Sequence, residues 1–190
     1  MKIASWNVNS LKVRLPQVLD WINLNQPDVL CLQETKQNNG NFPHDIFEQK
    51  GFFSYHNGQN TYNGVAIISN KELIDVQFDI SNFHDEQKRL ISGIYPNDEG
   101  PKFRVISAYI PNGQSLNSDK FEYKMNWLKS FISSLQKKID GIENIITGDF
   151  NIAPTKLDCY DSKSWDGKIL VSPQEREYFD KLLNLGFIDT

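Results

Sequence analysis

Apolar and polar positions alternate along residues 2–8 (KIASWNV), which predicts a first strand. Leu15, Val18, Leu19 and Ile22 then recur at the spacing of one helix face, with Pro16 near the helix start and Pro27 beyond its end. Residues 28–33 (DVLCLQ) are a nearly continuous apolar run, the pattern of a strand buried on both faces. Strand, helix and strand in that order predict a right-handed parallel crossover. Further strands are predicted at 63–69 (NGVAIIS), 88–96 (KRLISGIYP) and 102–110 (KFRVISAYI). The turn NDEG (97–100) makes the last two an antiparallel hairpin. A long helix follows, with Ser118 as N-cap and Phe121, Met125, Leu128, Ile132 and Leu135 on one stripe. Strand 143–148 comes next. A last helix opens on the capping box SPQE (172–175), with Pro at its first position, and stops at Gly186. The closing GFIDT reads as a loop entering another strand.

These elements amount to one mixed α/β domain over residues 1–190. A hydrophobic content of 39% with 12% aromatics fits a folded globular chain and argues against disorder. No stretch approaches a membrane span, and the N-terminus lacks the apolar core of a signal peptide. Two cysteines without zinc spacing suggest a reducing compartment, so a cytoplasmic location is expected. The net charge of −4 counts against a chain that binds nucleic acid over its whole surface. A local cationic site or a bound metal would reverse the sign where it matters.

Polar groups gather at the carboxyl ends of the predicted strands, where open α/β sheets collect their ligands. The first strand delivers Asn7, the second Gln33 and Glu34, the strand at 102–110 Tyr109, and the late strand Asp149 and Asn151. Two carboxylates with carboxamides are hard oxygen donors that suit Mg²⁺ or Mn²⁺ and not zinc. Each residue also has a plainer reading. Asn7 and Asn9 are acceptable turn residues, and Glu34, before Thr35 and Lys36, is acceptable as a solvated strand end. Tyr109 shares a strand face with Phe103 and Val105, as a core tyrosine does, and Arg89 opens a strand as surface charges do. Asp149 and Asn151 suit a turn before Pro154. Together the residues favour a metal–phosphate site. His44, His56 and His84 have no ligand spacing and are assigned no role.

The ordered set WNVNSL, LCLQETK, NGVAIIS, AYIPNG and GDFNIAPTKLD resembles the exonuclease III type of abasic-site endonuclease, within the endonuclease/exonuclease/phosphatase superfamily. The resemblance runs from residue 1 to residue 190. It implies a four-layer α/β sandwich of two facing mixed sheets with internal pseudo-twofold symmetry. It implies a Mg²⁺-dependent 3′–5′ exodeoxyribonuclease with abasic-site endonuclease activity, Mn²⁺ substituting. The expected partner is double-stranded DNA with abasic sites or 3′ ends, with no membrane and no obligate protein partner. Carried onto this sequence, Glu34 is the main metal carboxylate with Asn7 beside it, and Asp149 and Asn151 complete the ligand set. Asp149 also activates the attacking water, and Asn151 fixes Asp149 and the phosphate. Tyr109 hydrogen-bonds the scissile phosphate, while Lys36, Arg89 and Asn112 contact DNA.

The family's cleft also uses a C-terminal Ser-Asp-His segment, an Arg-Ile-Asp strand and a tryptophan-bearing loop, and none of these is in the 190 residues. The expectation is therefore a C-terminally truncated domain with little activity by itself. Two rival readings remain: a phosphoinositide-type phosphomonoesterase of the same superfamily, and a non-catalytic binding module.

Overall fold

The computed structural model of the chain describes residues 1–97, 100–136 and 141–190. The described residues divide into two compact units. The first comprises Met1–Asp79, His84–Tyr109 and the stretch ending at Asp149; the second comprises Ile80–Phe83, the stretch beginning at Ile110, and Phe150–Thr190.

The first unit contains strand β1 (Ile3–Asn7), helix α1 (Leu11–Asn25), β2 (Val29–Gln33), the short helix α2 (His44–Glu48) and β3 (Phe53–Asn57). Strands β4 (Val65–Ser69), β5 (Ile74–Phe78), β6 (Leu90–Tyr95), β7 (Lys102–Tyr109) and β8 (Ile142–Asp149) complete it. The strands make two sheets of four, in the orders β1-β2-β4-β3 and β5-β6-β7-β8. Read from β1 and from β8, both sheets give one parallel pair followed by two antiparallel pairs. That shared pattern agrees with the internal symmetry expected of the family. The α/β sandwich fold is present.

The apolar run 28–33 explains the core. Every residue of β2 is buried, because successive side chains of a strand point to opposite faces and both faces are covered. Leu30 and Leu32 pack with Val18 and Ile22 of α1 and with Phe47, Ala66 and Ile68. Val29 and Cys31 pack instead with Val65, Ile67, Ile91 and Val105, between the two sheets. Burial there pushes the Cys31 thiol up to about 12, which leaves it a packing residue. Gln33 shares this inner face. It does not join the strand-end cluster expected from the sequence: its Nε2 donates to Ser5 Oγ at 3.2 Å and to Ser107 Oγ at 3.1 Å.

Several predicted elements shift. Helix α1 begins at Leu11, so Pro16 lies inside it. Leu11 is fully buried and extends the apolar stripe one turn toward the N-terminus; its N–H donates to Thr35 O at 3.0 Å, which anchors that turn. The hairpin of β6 and β7 is antiparallel as predicted, while turn residues 98 and 99 lie outside the described residues. Strands β3 and β5 escaped the pattern reading. Ile74 and Phe78 of β5 are about half exposed, so this edge strand carries little of the apolar signal of a buried one.

The second unit contains helices α3 (Asp119–Leu135), α4 (Ser162–Trp165) and α5 (Pro173–Asn184). Ser118 caps α3 by accepting from Phe121 N, and Ser172 and Glu175 form the expected capping box on α5. The buried face of α3 is wider than one stripe: it adds Trp127, Phe131 and the charged Lys124. No described helix is long and apolar enough to cross a membrane.

Candidate active site

Four of the residues singled out from the sequence meet within the first unit. Asn7 closes β1, Glu34 follows β2, Tyr109 closes β7 and Asp149 closes β8. Asn7 Nδ2 donates to Glu34 Oε1 at 2.8 Å and to Asp149 Oδ2 at 2.9 Å, bridging the two carboxylates. The Tyr109 hydroxyl donates to the same Glu34 oxygen at 2.9 Å. Lys36 Nζ lies 3.0 Å from Glu34 Oε2 and also bonds Asn9 Oδ1. Asn9, read from the sequence only as a turn residue, thus holds the lysine that pairs with Glu34.

Local backbone geometry sets these positions. Strands β1 and β2 run parallel with Asn7 opposite Gln33, so the next residue, Glu34, emerges beside Asn7. Glu34 and Lys36 are both left-handed, each at φ 54°. A non-glycine residue there costs on the order of 1 kcal/mol and persists only where its surroundings over-determine it. Four main-chain bonds do so: Ser10 N to Glu34 O at 2.7 Å, Leu11 N to Thr35 O at 3.0 Å, Thr35 N to Gly64 O at 3.1 Å and Lys36 N to Asn63 O at 2.9 Å. Asp149 is placed by a glycine. Gly148 has φ +143°, and a Cβ there would sit 1.9 Å from Ala108 O, so only glycine lets β8 approach β7 this closely.

Charge follows from the contacts. Burial pushes the Glu34 carboxyl up, but hydrogen bonds from Asn7, Lys36 and Tyr109 outweigh it and hold the group below its ordinary range. Glu34 is therefore ionised at neutral pH. Tyr109 is pushed above its ordinary value, first by burial, then by the charge of Glu34 and the bond to it. Its hydroxyl stays a proton donor. Arg89 is 9% exposed, so it is not a solvated surface charge. Its Nε donates to Gln87 Oε1 at 2.9 Å and its Nη1 to Tyr109 O at 3.1 Å, with the guanidinium 4.7 Å from the Tyr109 ring centroid. Cation–π contact and hydrogen bond together fix Arg89 against Tyr109.

Asn112 and Asn151 belong to the second unit. Asn112 Nδ2 donates to Asn151 Oδ1 at 3.1 Å, and Asn151 Nδ2 donates to Ile110 O at 3.0 Å. Sequence reasoning passed over a buried pair next to Glu34: Thr35 Oγ1 and His56 Nε2 lie 2.8 Å apart. The His56 ring stacks on Phe42 at 4.2 Å, and burial, with a smaller contribution from His44, pulls it down to about 3. His56 is thus a neutral packing residue. Its only signal in the sequence was its place in the alternation FSYHN.

Glu34 and Asp149 offer carboxylate oxygens, which are hard donors, while Asn7 turns its Nδ2 to both of them and its Oδ1 accepts from Asn9 N at 3.0 Å. Among the described residues no group of three or more His, Cys, Asp or Glu side chains is disposed to hold a metal. Two carboxylates sharing one amide donor match the small protein contribution that Mg²⁺ takes while keeping several waters. The donor set fits such an ion.

The model of the endonuclease/exonuclease/phosphatase family matches residues 4–179. The chain is 34% identical over 200 residues to exodeoxyribonuclease III of Haemophilus influenzae, covering 100% of this chain and 74% of that protein. It is similar to a solved 3′ phosphatase from Neisseria bound to a product DNA hairpin, with a TM-score of 0.92 and 41% identity over 97% of this chain and 71% of that one. It is also similar to a solved AP endonuclease from Archaeoglobus fulgidus, with a TM-score of 0.91 and 34% identity over 100% of this chain and 72% of that one. Strand ends that gather Asn7, Glu34, Tyr109 and Asp149 accompany a family match over nearly the whole chain, and the protein belongs to the endonuclease/exonuclease/phosphatase family.

Proposed function

We propose that this chain is a metal-dependent phosphodiester hydrolase of DNA repair, acting on double-stranded DNA at 3′ ends and at abasic sites. One arrangement carries the reading: Asn7 bridges Glu34 and Asp149 while Tyr109 donates to Glu34. The names of the related proteins support it, since they include an exodeoxyribonuclease III and an AP endonuclease. The cofactor of this reading is Mg²⁺: Glu34 would hold it, with Asn7 once its side-chain amide turns Oδ1 toward the carboxylates, and the ion would supply positive charge against the scissile phosphate.

The chain's own groups do the rest. The Asp149 carboxylate takes a proton from the attacking water, and the Asn7 amide on its Oδ2 keeps it oriented. Tyr109, held protonated by burial and by Glu34, turns its single hydroxyl proton from Glu34 Oε1 to a phosphate oxygen when substrate is bound. Arg89 and Lys36 supply cationic charge to phosphates, and Asn112 and Asn151 supply amides to the DNA. Positioning and electrostatics account for most of such catalysis.

A second reading, removal of a terminal 3′ phosphate from DNA, is favoured by the Neisseria protein named for that reaction, at 41% identity. The test uses one duplex carrying a tetrahydrofuran abasic analogue and another carrying a 3′ phosphate, each with and without Mg²⁺. Metal-dependent incision at the lesion is expected. Release of phosphate alone would favour the second reading, and hydrolysis of a phosphoinositide without action on either duplex would overturn both.

A further inference from the structure

Lys124 is a fully buried ammonium inside the second unit. It lies on the inward face of α3, where the helical pattern calls for an apolar residue. Its Nζ pairs with the equally buried Glu175 and donates to the main-chain carbonyls of Asn112 at 3.2 Å and Asn151 at 2.7 Å. Glu175 in turn accepts from Leu170 N at 3.0 Å and, through Oε2, from Ser172 N at 3.0 Å and Ser172 Oγ at 2.7 Å. One ion pair therefore ties together the loop at Asn112, the turn at Asn151 and the start of α5.

The loop is also packed down on the lysine stem. Gly113 has φ +88°, and a Cβ there would meet Lys124 Cδ at 3.1 Å and Ile169 Cδ1 at 3.0 Å. Stability alone is a weak reason for such a pair, because apolar residues of similar volume commonly serve as well or better. What an apolar pair lacks is a donor for two carbonyls. Those carbonyls belong to the two residues whose side-chain amides bond each other. Asn151 is itself left-handed at φ 49°, a conformation that needs outside support.

We propose that the Lys124–Glu175 pair is a positioning device for the Asn112–Asn151 amide pair: by holding both carbonyls, the ammonium fixes where the two carboxamides point. The inference rests on the reading that those amides meet DNA. Lys124 and Glu175 touch no substrate and act only through the two asparagines.

The test is a mutant cycle on the full chain acting on the tetrahydrofuran duplex, with kcat, KM and the asparagine side-chain amide signals in ¹H–¹⁵N spectra measured together. Lys124→Met with Glu175→Gln removes both charges at once and keeps a carbonyl acceptor for Leu170 N, so no lone charge is left buried. The rate should fall roughly ten- to hundredfold, as small misplacements of contacting groups do. The amide signals of Asn112 and Asn151 should move while the rest of the spectrum holds. In an Asn151→Ala background the same two changes should cost less than about twofold more, because coupled groups are not additive. Fully additive loss, or unmoved amide signals in a folded variant, overturns the positioning role and leaves the functional reading standing. Should Asn112→Ala and Asn151→Ala each leave rate and DNA affinity unchanged, the functional reading of those residues fails and takes the inference with it. If the paired variant does not fold, Lys124→Arg enters the same cycle, since it keeps a cation against Glu175 but redirects the donors.

Discussion

The Tyr109 hydroxyl donates to Glu34 Oε1 at 2.9 Å, joining the last residue of a strand in one sheet to the turn that follows a strand in the other. Removing that oxygen alone isolates its contribution. Tyr109→Phe keeps the ring that Arg89 stacks on, and Glu34 keeps Asn7 and Lys36. Turnover on abasic duplex should fall about ten- to thousandfold, as loss of one transition-state donor does, with little change in melting temperature. A variant with undiminished turnover would make the hydroxyl purely structural.

Glu34 is held ionised by three donors, and it is the residue on which metal binding should depend most. Glu34→Ala should weaken Mn²⁺ affinity at least about tenfold, read by titration calorimetry, and should remove most metal-dependent turnover. The far-ultraviolet circular dichroism should stay as it is. Unchanged Mn²⁺ affinity would move the metal away from this residue.

For Asp149 the informative change is to the isosteric amide. Asp149→Asn should bind duplex DNA as tightly as the parent and turn over about 10²- to 10⁴-fold more slowly, because an amide cannot accept the proton. Binding that falls in step with rate would give Asp149 a structural role.

The buried ring of His56 predicts a pH dependence of stability. Its folded pKa of about 3 lies below the ordinary value of 6.5, so the unfolded chain binds more protons between those two values. The stability due to the neutral ring is complete above about pH 6.5 and is lost progressively as the pH falls toward 3. His56→Gln keeps a polar partner for Thr35 Oγ1 and cannot titrate. Urea unfolding between about pH 4 and 7 should therefore give a flatter profile for the variant than for the parent. Equal slopes would show that folding leaves the proton affinity of His56 unchanged, against a buried neutral ring.

Gly148 offers a purely steric test. A methyl group at that position meets Ala108 O at 1.9 Å and Ala108 C at 2.8 Å. Gly148→Ala should cost at least about 2 kcal/mol in chemical denaturation, since main chain cannot step aside as a side chain can. It should also displace Asp149 and slow turnover further than the stability loss explains.

The sequence was most legible where a residue's role is local or where an element is buried on both sides. Periodicity located β2, and the residue types alone located the Ser118 cap and the capping box at Ser172, because caps and apolar runs depend on neighbours a few positions away. The strand-end residues Asn7, Glu34, Tyr109 and Asp149 were singled out from the sequence and stand together in the structure, though nothing local says that the Asn7 amide bonds a carboxylate 142 residues further along the chain. Gln33 misled because it stands next to Glu34; a strand alternates its faces, so the two neighbours end up in different surroundings. Lys124 was invisible for the same kind of reason, since its carboxylate partner lies 51 residues away and two more of its acceptors are main-chain carbonyls that no residue type announces. Edge strand β5 was missed because a half-exposed strand carries only half of the alternation signal.

The polar contact of Gln33 with Ser5 and Ser107 has a consequence for assembly. Two apolar sheet faces would pack nearly as well after sliding by one residue, a step of about 3.3 Å, because dispersion and burial are indifferent to register. The amide and the two hydroxyls are not indifferent. Gln33 and Ser5 lie on paired strands of one sheet and would move together, but the slip would part Ser107 of the other sheet from the Gln33 amide, at roughly 1–3 kcal/mol for each group left unmatched. The same slip would carry the Tyr109 hydroxyl out of reach of Glu34. The contact that favours one register of the two sheets thus also favours the one placement of Tyr109 that reaches Glu34.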